Sequence, residues 1–136
     1  MKFFFDNNLS PHLARAVGAA SLRDDVDVRH LRDKFLPNIS DSEWLGDLSR
    51  EGGWTIISGD RRVLSHPEER AAWRQAGLTT FFLSQKAWHT NTYWEIVWRF
   101  FRWWPVVVDQ ADRVQAGAAF EVPFAYRQGR LRQLPL

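Results

Sequence analysis

The chain has 136 residues and no cysteine. Disulfides and thiolate zinc sites are therefore excluded, and a reducing, cytoplasmic compartment fits best. Long hydrophobic runs are also missing. The most apolar stretch, residues 93–108, is interrupted by Glu95, Arg99, Arg102 and Pro105. It falls short of the roughly 20 apolar residues that span a bilayer, so no membrane association is expected. At the amino end only Phe3, Phe4 and Phe5 precede Asp6, which is too little for a secretory signal. The four histidines, His12, His30, His66 and His89, are scattered without ligand spacing, so a histidine metal centre is not expected. There is no internal repeat and no low-complexity segment. Lysine is scarce, since arginine supplies 15 of the 18 basic residues. Guanidinium stays charged and grips phosphate through paired hydrogen bonds. Arg127, Arg130 and Arg132 near the carboxyl end have no acid among them, which suits a polyanionic partner.

What is present has the order of an α/β protein. Residues 2–6 form a short apolar run ending in an acid, the pattern of a buried first strand. Ser10-Pro11 starts a helix, with serine as cap and proline at its first position. Leu9, Leu13, Val17 and Ala20 share one face of it. Residues 26–31 alternate as a second strand. Ser40-Asp-Ser-Glu43 reads as a capping box, opening a helix that turns Trp44, Leu45 and Leu48 inward and stops at Gly52-Gly53. Trp54-Thr-Ile-Ile-Ser58 is a third strand, closed by Gly59-Asp60. A helix from Ser65-His-Pro-Glu68 to Gly77 and a strand over residues 79–83 follow. Strands and helices alternating through short links predict a parallel sheet. The core is expected over residues 1–85, with residues 86–136 as a helical and hairpin extension of the same domain. Residues 89–104 read as an aromatic-rich helix stopping near Pro105. Its apolar arc is wider than one core-facing stripe requires. Residues 118–136 read as a strand or hairpin with a basic tail, turning at Gly129.

In open parallel sheets, ligands bind beyond the carboxyl ends of the strands. Asp6 and Asp60 both stand at such ends, and Asp41 begins the helix leading into the strand before Asp60. Glu43 follows in the same turn. Converging carboxylates repel one another, and a divalent cation removes that conflict. Mg²⁺ or Mn²⁺ would suit the hard oxygen donors and would leave room for water and a phosphodiester oxygen. Each residue also has a plainer explanation. Asp6 and Asp60 could cap turns, and Asp41 could complement its helix dipole. Glu43 could serve only the capping box. Asn7 and Asn8 could hold a metal-bound water or phosphate, or tie down their turn. Arg61 and Arg62 could contact phosphate, or pair with Glu68 or Glu69. Asp24, Asp25 and Asp27 fall at the amino end of a strand, the wrong mouth of the sheet, and read as a solvated turn.

Taken together, Phe-Phe-Phe-Asp6-Asn-Asn-Leu-Ser, Ser40-Asp-Ser-Glu-Trp-Leu and Trp54-Thr-Ile-Ile-Ser-Gly-Asp60-Arg-Arg resemble the PIN-like domain family, in its compact branch near VapC-type toxins. The resemblance covers roughly residues 1–85. It implies a three-layer α/β/α fold with a mostly parallel central sheet. It implies a Mg²⁺- or Mn²⁺-dependent endoribonuclease, acting as the toxin of a type II toxin–antitoxin pair. Asp6 takes the first acidic position, Asp41 or Glu43 the second, and Asp60 the third. Many PIN domains carry a further acid soon after the third, where this chain has Arg61 and Arg62. Glu68 or Glu69 are the nearest substitutes. The resemblance also implies an RNA substrate, a cognate antitoxin and a homodimer, for which the 89–104 helix is the candidate surface.

Two other classes compete. One is a catalytically inactive PIN-like module that binds RNA or protein, favoured by the missing fourth acid. The other is a receiver-like phospho-acceptor with Asp60 as acceptor, disfavoured because Asn7 and Asn8 replace the acids expected after the first strand.

Overall fold

The structure is a computed structural model and describes residues 1–63 and 65–136. Its centre is a six-stranded sheet in the order β2-β1-β3-β4-β5-β6. The strands are β1 (Lys2–Phe5), β2 (Asp27–His30), β3 (Trp54–Ser58), β4 (Thr80–Phe82), β5 (Ala119–Glu121) and β6 (Arg132–Leu134). All neighbours pair in parallel except β5 and β6, which form an antiparallel hairpin at one edge. The helices are α1 (Pro11–Ser21), α2 (Leu31–Lys34), α3 (Asp41–Glu51), α4 (Pro67–Ala76), α5 (Ala87–Thr90) and α6 (Tyr93–Arg113).

The three phenylalanines of β1 explain the layering. Successive strand side chains point to opposite faces. Phe3 and Phe5 enter a core built with α1 and α6, where Phe3 meets Trp104 at 4.8 Å and Phe5 meets Phe100 at 5.5 Å between ring centroids. Phe4 points the other way, to Trp44 of α3 at 5.0 Å, in a second core that includes Trp73 of α4. All three are fully buried. A strand covered on both sides must be apolar throughout, which is why this one does not alternate. Burial of each ring contributes roughly 1.5–3 kcal/mol. The result is the expected α/β/α sandwich.

The helix boundaries follow their local chemistry. Ser10 Oγ accepts from the amides of His12 and Leu13, and Ser40 Oγ accepts from that of Glu43. Gly77 ends α4 in the left-handed region at φ +66°, a conformation costly for a residue with a Cβ. On α1 the inward residues are Leu13, Ala14, Val17 and Ser21, while Ala20, expected inward, is exposed. Ser21 takes the buried position because its hydroxyl donates to Val17 O and accepts from Trp104 Nε1, each at close range.

The largest departure from expectation is α6. It starts at Tyr93, capped by Thr92, with His89 in the separate short helix α5. It also runs through Pro105 to Arg113. A proline inside a helix costs about 3 kcal/mol. Pro105 is exposed, while Phe100, Trp103, Trp104, Val107 and Gln110 continue one buried stripe across it. Burial on that face outweighs the local penalty. The chain between β5 and β6 folds back over a second part of the aromatic arc: Trp103 meets Tyr126 at 4.8 Å, and the Arg99 guanidinium lies 4.2 Å from the Phe124 ring centre. Much of the width of the arc is therefore used within the chain. Among the described residues, no helix is long and apolar enough to cross a membrane.

Candidate active site

Leaving β1, the chain passes to β2 on one side of it and later returns to β3 on the other. The turns after β1 and β3 therefore diverge at a topological switch point, the place where α/β sheets accommodate ligands. Asp6 and Asp60 leave the sheet there, and both are buried, at 4% and 5% exposure.

Asp6 is held from three sides. Its Oδ1 accepts from the amides of Asn8 (3.1 Å) and Gly59 (3.3 Å), and its Oδ2 accepts from the Ser58 hydroxyl. Ser58 Oγ in turn accepts from the amide of Asp60 at 3.0 Å. The two turns pack so closely that a Cβ on Gly59 would lie 3.1 Å from Asn8 Cβ and 3.2 Å from Leu9 Cδ2. Glycine is what allows the Gly59 amide to reach Asp6. Despite these donors, burial pushes the Asp6 pKa up from 3.8 to about 7, and the negative charge of Asp41 adds to the shift. At neutral pH its ionised form thus lacks a compensating cation.

Asp41 opens α3 at the rim, with Oδ1 accepting from Trp44 Nε1 at 3.1 Å. Desolvation raises its pKa, and the Asp60 charge raises it further. Asp60 Oδ1 accepts from the Arg62 amide at 2.7 Å, and the Arg62 guanidinium lies 3.6 Å from the same oxygen. Arg62 also pairs with Glu69 Oε1 at 3.3 Å. Glu69 is the third residue of α4, so its carboxylate comes back toward Asp60. Its pKa is raised by burial first and by the Asp60 charge second. Its Oε2 is buried and meets no N–H or O–H donor among the described residues; the neighbouring Asp60 carboxyl favours a proton on Glu69.

The remaining sequence candidates separate. Glu43 is exposed, and its carboxylate accepts from the Ser40 hydroxyl at 2.9 Å rather than from the Ser40 backbone amide, so the expected capping box forms only on its serine side and Glu43 is held at the helix start. Asn7 spans loops, accepting from Arg32 Nε and donating to Pro37 O. Asn8 contributes its backbone amide to Asp6. Arg61 is exposed, donating through Nε to Ser84 O. Arg62 sits between Asp60 and Glu69 as their counter-ion. Sequence reading left Glu68 and Glu69 equivalent, and only Glu69 turns inward; its place as N3 of a Pro-started helix was the available signal. Ser58 was missed as a site residue. The signal was a hydroxyl at the last, buried position of β3, directly before Gly59-Asp60.

Asp6, Asp41, Asp60 and Glu69 thus form an electrostatically linked acidic mouth. Among the described residues, no three Asp, Glu or His side chains close around a single point as a ready-made metal cage. The donor set nevertheless fits a hydrated hard cation: Mg²⁺ commonly binds through one or two carboxylates and keeps several waters. A buried anion without a cation, and a buried carboxylate oxygen without an N–H or O–H donor among the described residues, are what such an ion would satisfy.

A family model described as a PIN like domain matches residues 1–85, and the chain belongs to that family. The fold and site therefore define a nuclease-type hydrolase scaffold. The match contains the whole acidic mouth and ends after β4, leaving α5, α6, β5 and β6 beyond it. Comparison with curated proteins and with solved structures finds no match.

Proposed function

We propose that this protein is a Mg²⁺- or Mn²⁺-dependent endoribonuclease, the cytoplasmic toxin of a type II toxin–antitoxin pair, related to VapC-type toxins. The observation that carries the reading is Asp6: a carboxylate buried at a strand end, raised to about 7, and coupled to further acids at the same mouth. A bound divalent ion would activate water and stabilise charge developing on a phosphodiester. The chain's own residues have distinct parts. Asp6 and Asp60 would hold the ion from the sheet, and Asp41 and Glu69 would orient its waters from the two helix starts. Ser58 fixes the Asp6 carboxylate. Arg61, exposed beside the Asp60 turn, would meet a substrate phosphate. Single-stranded RNA is the favoured substrate, because unpaired bases can splay around an open mouth.

Arg61 and Arg62, standing where many PIN domains carry a further acid, favour a second reading, a catalytically inactive module that binds RNA or a partner protein. Two measurements separate them. Mn²⁺ titration followed by electron paramagnetic resonance should show binding below millimolar concentration, weakened by Asp6→Asn. Cleavage of a single-stranded RNA should require Mg²⁺ or Mn²⁺ and disappear in Asp6→Asn and Asp60→Asn. Cleavage that persists in both variants with chelator present overturns the nuclease reading; RNA binding without Mn²⁺ binding favours the module.

A further inference from the structure

The large aromatics of α6 divide into two groups. Phe100, Trp103 and Trp104 are buried, whereas Tyr93, Trp94 and Trp98 are 43%, 75% and 45% exposed. These three exposed rings belong to the first two turns of the helix. That end of α6 follows the carboxyl end of β4 through α5, so it stands at the same end of the sheet as the acidic mouth. The connection is close. His89 of α5 lies 3.4 Å from where a Cβ on Gly59 would be, and Gly59 supplies an amide to Asp6.

The rings are also held in place. Trp98 Nε1 donates to Glu95 Oε2, and the Arg99 guanidinium lies 4.7 Å from the Trp98 ring centre. Arg99 is itself fixed by Glu95 Oε1 at 3.3 Å and Phe124 O at 3.1 Å. Tyr93 and Trp94 meet edge to face at 5.3 Å. An exposed tryptophan tied by its N–H and backed by a cation offers a ring face that needs little further ordering to bind.

The charge around the patch selects the occupant. Lys86, Arg99 and Arg102 flank the rings along the chain, and Arg102 lies over Tyr126, the neighbour of Arg127. Arg132 is already paired with Glu121, and Arg130 lies beside Pro105 and Asp109, toward the other end of α6, so neither belongs to the patch. The acidic side chain on this end of α6 is Glu95. Glu95 is already engaged by Trp98 and Arg99. Rings set among guanidinium groups are the combination that single-stranded nucleic acid recognises: bases stack on the rings, and phosphates meet the cations. A duplex would keep its bases turned inward.

We propose that Tyr93, Trp94 and Trp98 form a base-stacking platform for single-stranded RNA at the lip of the acidic mouth, using a segment outside the part of the chain that matches the family. The proposal rests on the ribonuclease reading only for what the strand is delivered to. Binding is therefore measured without catalysis.

The test is fluorescence anisotropy of a labelled 12-nucleotide single-stranded RNA, in chelator at fixed salt, with the full chain. Trp94→Ala should weaken binding by about 5- to 100-fold, the range for loss of one stacked base. Trp98→Ala should act in the same direction. Trp94→Phe, which keeps a ring, should stay within about threefold of the parent. Mn²⁺ affinity should be the same in all variants. Because Trp94 is largely exposed, its replacement should leave the melting temperature unchanged. Equal RNA affinity in parent and Trp94→Ala overturns the platform and leaves the nuclease reading standing. So does unchanged RNA affinity with loss of self-association or antitoxin binding, which would make the patch a protein interface. A parent chain that binds no RNA in chelator also overturns the platform, while the nuclease reading is decided separately by cleavage with Mg²⁺ or Mn²⁺.

Discussion

The Ser58 hydroxyl donates to Asp6 Oδ2 across the β1–β3 seam while accepting the amide of Asp60 at 3.0 Å. One side chain thereby sets the position of the first acid and the path of the turn carrying the third. Its hydroxyl hydrogen stabilises the anionic form of Asp6, yet desolvation prevails and the pKa stays near 7. The site holds a carboxylate whose ionised form the chain's own donors satisfy poorly.

The first consequence concerns pH. A group raised from 3.8 to about 7 contributes stability that is fully present below pH 3.8 and is lost as pH rises through 7. The full effect corresponds to about 4 kcal/mol at 1.36 kcal/mol per pH unit. In chelator, urea denaturation should show Asp6→Asn gaining on the parent chain between pH 5 and pH 8. Saturating Mn²⁺ should remove that gain by stabilising the parent. An Asp6→Asn advantage that does not change with pH would count against the burial argument.

Glu69 and Glu68 should behave differently although they are adjacent. Glu69 has a buried Oε2 beside Asp60 that meets no N–H or O–H donor among the described residues, whereas Glu68 is exposed. Glu69→Gln should weaken Mn²⁺ binding by about 10-fold or more, the scale for groups that orient a metal's ligands. Glu68→Gln should leave it unchanged. Calorimetric titration of both variants decides this.

His30 is fully buried and acts as a two-sided clamp. Its Nε2 meets Leu9 O at 2.8 Å, and its Nδ1 accepts from the Arg32 amide at 3.1 Å. That pattern requires the neutral ring with its proton on Nε2, and burial lowers its pKa below 6.5. The linked stability is present above pH 6.5 and is lost as pH falls through the folded-state pKa, opposite in sign to Asp6. His30→Ala should cost about 2–4 kcal/mol through lost packing and unpaired groups. It should also flatten the acid side of the stability profile without altering Mn²⁺ affinity. Denaturant melts from pH 5 to 7 provide the measurement.

Pro105 interrupts the hydrogen bonding of α6 on its exposed side. Pro105→Ala should raise stability by about 1–2 kcal/mol, less than the full helix-interior penalty because alanine also frees the unfolded chain. Calorimetry should show a higher melting temperature and an unchanged RNA affinity.

Most of the fold is legible in the sequence because its signals are local. Phe3 to Phe5 and Trp54–Ser58 are strands that strand propensity and complete burial both favour, and Ser10, Ser40 and Gly77 mark helix ends through their own hydrogen bonds and φ values. The placement of Asp6 and Asp60 at strand ends follows from the same strand pattern. The fate of Pro105 was not legible, since whether a helix continues through proline depends on what its far face buries.

The chain alone thus determined the alternation of elements, the layered fold and the acids at the strand ends. Tertiary structure decided the rest. It chose Glu69 over Glu68 and left Glu43 to its cap. It inserted Ser58 between two acids 54 residues apart in the chain. It also exposed Trp94 and Trp98 while burying Trp103 and Trp104. The physical reason is the same in each case: capping and propensity act within a few residues, whereas desolvation and charge coupling depend on which distant segments the sheet brings together.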